Sequence, residues 1–241
     1  MFKFGEKHPV IFEIILIVAA FIGAAIITVM GSIVYMPPEL SAAIGRIAVG
    51  IVLIIIYRSI FKGDQFLKNP LLLIPALMFS VWNLFYYLSS GKVIGGMPFF
   101  VDGFILAIAP ALFEEVIFRG IFIHNLKKKG NSDIKCLFLS AIIFSVVHLT
   151  NMVGMSPALV LLQTGYSLVI GLVLAAVYLK NNSLIQVIVA HFLIDFTTHI
   201  FTEQPTSSSH LHMVLLGILL VAESVFAVMI TVRKPSATGN E

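Results

Sequence analysis

Long apolar runs separated by short polar segments make up most of this chain, and we count eight such runs. Each is close to the roughly 20 residues with which a helix crosses a hydrocarbon core about 30 Å thick. The polar segments between them, such as "KGDQFLKNP" and "KKKGNSD", are rich in the residue types that form turns. The pattern therefore predicts eight transmembrane helices, at Val10–Val34, Ala42–Phe61, Leu71–Leu88, Phe99–Leu126, Ile134–Leu149, Ala158–Leu179, Leu184–Phe201 and Leu211–Val232.

The composition agrees with this pattern, because 59% of the residues are hydrophobic and only 11% are charged. Soluble domains carry roughly a quarter charged residues. The first apolar run, about 25 residues long, exceeds the roughly 7–15 expected of a secretion signal, so we expect it to be retained. The sequence predicts an all-α membrane protein, with residues 1–241 forming one polytopic domain of about eight helices.

The basic residues are distributed unevenly between the two predicted sides of the membrane. With eight spans, both termini and the loops after spans 2, 4 and 6 lie on the same side, and cytoplasmic loops are the ones enriched in Lys and Arg. Only Arg46 and Lys92 fall on the opposite side, and Arg119 lies inside span 4. We therefore expect both termini in the cytoplasm, most simply of a prokaryotic cell. The predicted cytoplasmic charges are Lys3, Lys7, Arg58, Lys62, Lys68, Lys127, Lys128, Lys129, Lys135, Lys180, Arg233 and Lys234.

This placement explains the net charge of +3 through topology and contact with membrane lipids, without a nucleic acid partner.

The stretch "FEEVIFRG" places three ionised groups inside span 4. A charge at this depth costs several kcal/mol on the gentlest scales and is normally paired, buried in the bundle or functional. Residues four apart share a face of a helix, so Glu115 and Arg119 are expected to form an internal ion pair. Glu114 is turned about 100° away from Glu115 and needs a partner on another helix.

Few other polar groups are available at this depth. His148 lies in span 5, and His191 and Asp195 lie four residues apart in span 7, so they share a face. At 1.5 Å per residue, all four side chains lie about 12 to 20 Å from the cytoplasmic ends of their spans. We therefore expect Glu114, His148, His191 and Asp195 to lie in one layer and to form a common site.

The chemistry that this set supports is the activation of water. A desolvated carboxylate can act as a general base, and neutral imidazoles can bind a metal or hydrogen-bond a reacting carbonyl. Two histidines with a carboxylate also suit a catalytic zinc that keeps one position open for water. Glu114, His148 and His191 are the candidate zinc ligands, and a metal-independent mechanism remains open.

Three motifs carry a family resemblance. "EEVIFR" fits EExxxR, "FSVVH" fits FxxxH and "HFLID" fits Hxxx(N/D), in the expected order on successive helices. The chain resembles the CAAX protease and bacteriocin-processing (CPBP, or Abi) family of intramembrane proteases, with a family core at about residues 98–200. The family has been described both as metalloproteases and as glutamate proteases.

The resemblance implies an endopeptidase that hydrolyses a peptide bond of a membrane-associated, possibly lipidated, peptide or protein. It implies that Glu114 and His148 activate water, that His191 and Asp195 stabilise the oxyanion, and that Glu115 and Arg119 support them.

Asp195 departs from the pattern of the CAAX-processing members, which commonly carry Asn there, whereas many bacterial members carry Asp. An ionised Asp cannot donate a hydrogen bond to an oxyanion. Asp195 could be kept protonated by burial, could orient His191, or could bind a metal. We favour a carboxylate that orients His191 or binds a metal.

Two other classes of protein are compatible with the sequence. A proton-coupled transporter would also place Glu, His and Asp at the middle of the membrane. A non-catalytic scaffold that binds peptides, such as a bacteriocin-immunity protein, could keep the same fold.

Other features indicate architecture. Pro110 is expected to kink span 4. Ser167, Gly171 and Ala175 form a stripe of small residues that lets another helix approach. His210 and His212 are expected to be exposed in an outer loop.

Overall fold

The structure is a computed structural model that describes residues 2–63, 68–205 and 209–233. Lys234, one of the predicted cytoplasmic charges, lies outside the described residues. Extended pairing within them is limited to one bridge between Ile94 and Phe201. The α-helices are α1 (Phe2–Lys7), α2 (Pro9–Ile33), α3 (Pro38–Ile56), α4 (Ile74–Ser89), α5 (Met97–Glu115), α6 (His124–Lys128), α7 (Asp133–Val147), α8 (Pro157–Asn181), α9 (Leu184–His199) and α10 (His210–Val232).

Each of the eight predicted spans corresponds to a helical segment, so the all-α polytopic fold is confirmed. The 3-10 turn Pro70–Leu73 extends α4 at its start. Proline at the first helical position begins α2, α3 and α8, where its missing N–H costs nothing.

The structure also corrects two predicted boundaries and adds one helix. α3 ends at Ile56 instead of Phe61 and is followed by a 3-10 turn, Phe61–Gly63. α7 ends at Val147, and a 3-10 turn, His148–Val153, follows it. The short helix α1 was not predicted, because six residues are too few to give an apolar period.

The outer surface of the bundle is apolar, as expected of a chain that contacts lipid. Ile33 is 72% exposed and Val221 is 66% exposed, although both lie in long helices. Six helical segments in the described part of the chain are long and apolar enough to cross a membrane. The helix α9 is apolar but has only 16 residues, which is about 24 Å at 1.5 Å per residue.

The helix α8 lies at the centre of the bundle. In its apolar 18-residue stretch 61% of the residues are buried, against 11% in that of α10. It packs against α7 and α10, while α5 packs against α3 and α9. The predicted stripe of small residues Ser167, Gly171 and Ala175 is buried. A Cβ atom on Gly171 would lie 3.1 Å from the Cα atom of Ala141, so the glycine allows α7 to approach closely.

The helices α5 and α6 are joined by a π-helix, Val116–Ile123, which makes one continuous helical rod from Met97 to Lys128. All eight residues of the π-helix are buried. The α-helix runs through Pro110 without a break, so the change of helical type lies after Glu115 and not at the predicted kink. Short π segments of this kind occur frequently at functional sites.

Candidate active site

A cavity of about 510 Å³ opens between the helices, and all four predicted catalytic side chains line it. Glu114 comes from α5, His148 from the 3-10 turn after α7, and His191 and Asp195 from α9. The structure thus brings the four predicted side chains together around one cavity.

The two adjacent glutamates have opposite environments. Glu115 is fully buried, whereas the side chain of Glu114 is 18% exposed and faces the cavity. The two side chains face different directions because successive residues of a helix are turned by about 100°. Glu114 is thus the carboxylate that a bound molecule can reach.

Glu115 and Arg119 form the predicted ion pair. Nη1 of Arg119 donates to Oε1 of Glu115 at 2.7 Å, and neither side chain is exposed. Nη2 of Arg119 donates to the carbonyl oxygen of Gly171 at 3.2 Å, and its Cζ lies 4.4 Å from the centre of the Phe144 ring. The guanidinium therefore contacts residues of α5, α8 and α7 and links these three helices.

The same carboxylate fixes the orientation of His191. The Nδ1–H of His191 donates to Oε1 of Glu115 at 2.7 Å, which leaves Nε2 facing the cavity. Nε2 lies 3.9 Å from Oε2 of Glu114 and 3.6 Å from Oδ2 of Asp195. Both separations exceed hydrogen-bond length. His191 and the two carboxylates therefore converge without bonding directly to one another.

This geometry bears on one role that the sequence left open for Asp195, the orientation of His191. Glu115 accepts the hydrogen bond that orients His191, because Nδ1 of His191 is the nitrogen that donates to it. Asp195 lies on the Nε2 side, and its side chain is 29% exposed. It therefore faces the space in which chemistry would occur.

His148 belongs to the same wall of the cavity. Its Nδ1–H donates to the carbonyl oxygen of Phe144 at 2.9 Å, which assigns the proton to Nδ1 and leaves Nε2 as an acceptor. The Phe144 ring is 5.0 Å from the ring of His148 and 6.0 Å from the ring of His191, centre to centre. Phe144 thus sets the relative positions of the two imidazoles.

We compared the predicted zinc ligands with this geometry. Glu114, His148 and His191 offer the oxygen and nitrogen donors that zinc accepts. Among residues 2–63, 68–205 and 209–233, however, no group of three or more His, Cys, Asp or Glu side chains is placed to hold a metal ion. The described arrangement does not fit the zinc site, and no catalytic step below is routed through a metal.

The structure adds residues that the sequence interpretation did not place at the site. Arg46 lines the cavity, although it was counted among outer charges. Its position inside the predicted span Ala42–Phe61 was the signal that could have identified it. Tyr166 and the hydrogen-bonded pair Asn151 and Gln163 also line the cavity, with Nδ2 of Asn151 2.9 Å from Oε1 of Gln163.

The interpretation of His212 as an exposed loop residue was wrong. It lies in the first turn of α10, is 9% exposed and lines the cavity. Its Nε2 lies 2.8 Å from the Ser89 hydroxyl, and the Tyr86 ring is 5.1 Å away, centre to centre. His210, in contrast, is exposed.

Two buried acids were also overlooked. Glu13 on α2 is fully buried, and neither of its carboxyl oxygens has a hydrogen-bond partner in the described part of the chain. Glu223 on α10 is 6% exposed. Neither residue lines the cavity, so both are separate from the site.

Fold and site together define the class of the protein: a multi-pass membrane protein with Glu, His and Asp side chains enclosed between its helices. Residues 96–197 match the sequence model of the family described as type II CAAX prenyl endopeptidase Rce1-like. The resemblance to the CAAX protease and bacteriocin-processing family is thereby confirmed over this segment. Comparison with curated proteins and with solved structures gave no match.

The matched segment begins just before α5 and ends within α9, so it contains the predicted catalytic residues Glu114, His148, His191 and Asp195, whereas Arg46 and His212 lie outside it. The matching family is a protease family, which supports an enzyme and suggests an intramembrane protease. It also implies a membrane-associated peptide or protein as substrate and a lipid environment.

Proposed function

We propose that this protein is an intramembrane endopeptidase that hydrolyses a peptide bond of a membrane-associated peptide or protein, with Glu114 as the general base. The observation that carries the proposal is the approach of a cavity-facing carboxylate to a fixed imidazole. Oε2 of Glu114 lies 3.9 Å from Nε2 of His191, inside a cavity of about 510 Å³.

The reaction begins with a water molecule between Glu114 and Nε2 of His148. Glu114 takes a proton from the water, and the oxygen attacks the carbonyl carbon of the substrate. The carbonyl oxygen becomes an oxyanion, which accepts a hydrogen bond from a protonated Nε2 of His191. Glu114 then gives its proton to the amide nitrogen, the carbon–nitrogen bond breaks, and the amine leaves.

The residues behind the site hold His191 for this role. Glu115 accepts the hydrogen bond from Nδ1–H, and its negative charge favours an imidazolium during the reaction. Arg119 in turn fixes Glu115. Asp195 lies 3.6 Å from Nε2 and provides a second negative charge, which compensates the imidazolium charge before the oxyanion forms.

We also propose an orientation of the protein in the membrane and a route for the substrate. Both termini lie in the cytoplasm of, most simply, a prokaryotic cell, and the substrate reaches the cavity from the membrane. The proposed substrate is an extended segment of a membrane-bound peptide or protein, and a lipid attached to it would remain in the bilayer.

The test of the proposal is cleavage of a peptide library by the purified protein in liposomes, wild type against Glu114→Gln. Loss of a general base is expected to lower kcat about 10²- to 10⁴-fold. Glu203→Gln, at an exposed carboxylate in an outer loop, is the matched control and should cleave like the wild type. Cleavage by Glu114→Gln at the wild-type rate would contradict the mechanism.

The same preparation separates the competing functions. Intact peptides with both proteins, together with peptide binding, would indicate a scaffold. Proton-driven flux across the liposome membrane would indicate a transporter.

Metal dependence requires its own measurement. Because the described side chains do not form a three-ligand group, we expect cleavage to survive a zinc chelator and elemental analysis to find less than stoichiometric zinc. Stoichiometric zinc, with activity lost on chelation and restored by zinc, would instead establish the metalloprotease.

A further inference from the structure

We propose that Arg46 binds a carboxylate of the substrate and makes the site selective for peptides that carry this charge near the cleaved bond. The carboxylate is either the C-terminal group of the peptide or an Asp or Glu side chain. The inference rests on the proposed peptidase function.

The position of Arg46 follows from the contact between α3 and α5. A Cβ atom on Gly50 would lie 3.5 Å from the Cα atom of Phe113, so Gly50 lies at nearly the depth of Glu114. Arg46 precedes Gly50 by one helical turn and therefore shares its face, about 6 Å closer to the start of α3. The Arg46 side chain lines the cavity that also contains Glu114 and His191.

In the part of the chain that the structure describes, the charge of Arg46 has no hydrogen-bonded or ion-paired partner. Within the described ranges, it is the only Lys or Arg on the cavity wall, and no hydrogen bond or ion pair to it is found. Asp195 lines the same cavity as Arg46. A half-buried cation without a partner at this depth is costly, so a bound anion would be strongly favoured there.

A carboxylate is the ligand that fits this position best in a peptidase. The planar guanidinium binds carboxylates through two parallel hydrogen bonds, and peptides supply carboxylates as C-termini and acidic side chains. Asp195 forms no ion pair with Arg46 and instead lies beside His191, with 3.6 Å between Oδ2 and Nε2. Arg46 is therefore free to hold one part of a peptide while Glu114 acts on another.

The experiment uses one cleaved peptide in four forms: a free C-terminus or a C-terminal amide, each with Glu or Gln beside the cleaved bond. Values of kcat and KM are measured for the wild type, Arg46→Gln and Arg46→Lys. The wild type should prefer one anionic form about tenfold or more, mainly through KM, as expected for a charge-assisted hydrogen bond. The form preferred identifies which carboxylate is bound.

Arg46→Gln should remove the preference, and Arg46→Lys should retain part of it because the charge remains. Lys92→Gln is the matched control, because Lys92 is a basic residue of the same predicted side that does not line the cavity. It should keep the full preference. Equal cleavage of all four peptides by the wild type, or a preference that survives Arg46→Gln, would overturn the proposal. An equal loss of cleavage of all four peptides by Arg46→Gln would also overturn it, because Arg46 would then act through Asp195 and not on the substrate.

A binding measurement separates this inference from the peptidase function. The four peptides are titrated onto the Glu114→Gln protein, with and without Arg46→Gln. If an anionic form binds more tightly and this difference disappears with Arg46→Gln, the inference is supported. If no peptide is cleaved in addition, only the proposed peptidase function fails. Binding that ignores the peptide charge overturns the inference, whatever the cleavage result.

Discussion

At the scale of single residues, the pair Glu114 and Glu115 shows how position on one helix divides two identical side chains between chemistry and support. Glu115 is fully buried and is held by Arg119, with 2.7 Å between Oε1 and Nη1. Glu114 faces the cavity. Glu115, a buried carboxylate with two hydrogen-bond partners, is therefore the proposed positioning group, and Glu114, an accessible carboxylate beside an imidazole, is the proposed general base.

The buried ion pair leads to a prediction about stability. Removing one partner leaves the other charge buried and unpaired, which costs about 3–5 kcal/mol. Arg119→Met and Glu115→Gln should each lower the free energy of unfolding by an amount approaching this range, and the double variant should lose less than the sum. The measurement is unfolding by denaturant in detergent micelles.

The pair Lys92 and Glu203, whose carboxylate is exposed to solvent, is the control for that comparison. Lys92 donates a hydrogen bond to Glu203 at 2.8 Å, and this bond lowers the pKa of the Glu203 carboxyl. Because Glu203 is exposed to solvent, Lys92→Gln should leave unfolding nearly unchanged. Additive effects of Arg119→Met and Glu115→Gln would show that the two groups do not act as a pair.

At the scale of elements, the close approach of α7 and α8 sets the shape of the site. A Cβ atom on Gly171 would lie 3.1 Å from Cδ1 of Phe144, whose ring touches both imidazoles and lies under Arg119. The carbonyl of Gly171 also accepts a hydrogen bond from Arg119. The spacing of these two helices therefore affects the proposed catalytic histidines through one aromatic ring, that of Phe144.

Gly171→Ala tests this coupling. The added methyl group overpacks the contact, which typically costs about 1–3 kcal/mol, and it displaces Phe144. We expect lower stability and lower kcat. Gly165→Ala on the same helix is the matched control, because a Cβ atom there meets nothing within 4 Å, and alanine favours a helix. Equal effects of the two substitutions would show that helix spacing does not control the site.

At the scale of the whole molecule, the uneven distribution of Lys and Arg predicts the orientation in the membrane. Lys129 lies in the loop between α6 and α7, and Glu203 lies in the loop between α9 and α10. The loop between α9 and α10 also pairs with the loop before α5, through the bridge between Ile94 and Phe201. If both termini are cytoplasmic, these two loops lie on opposite sides.

Accessibility of introduced cysteines measures the orientation. Lys129→Cys should react with a membrane-impermeant thiol reagent only in inverted vesicles, and Glu203→Cys only in intact cells. Both positions are exposed, whereas the native Cys136 is buried, so the unmodified protein should stay unlabelled. Labelling of both variants from the same side would refute the arrangement of eight spans.

The sequence by itself determined what depends on neighbours along the chain. The apolar runs fixed the eight helical segments, because each segment must satisfy its own backbone hydrogen bonds in lipid. The ion pair between Glu115 and Arg119 followed from helical spacing alone. Similar depths along three spans predicted that Glu114, His148, His191 and Asp195 lie in one layer.

Only the tertiary structure decided which faces of these helices meet. The hydrogen bond from His191 to Glu115, the place of Arg46 on the cavity wall and the burial of His212 each depend on the rotation and spacing of helices far apart in sequence. Hydrophobic pattern cannot set that rotation here, because lipid makes outward faces as apolar as the core. Close contacts such as that of Gly171 with Ala141 set it instead, through the packing of side chains across the bundle.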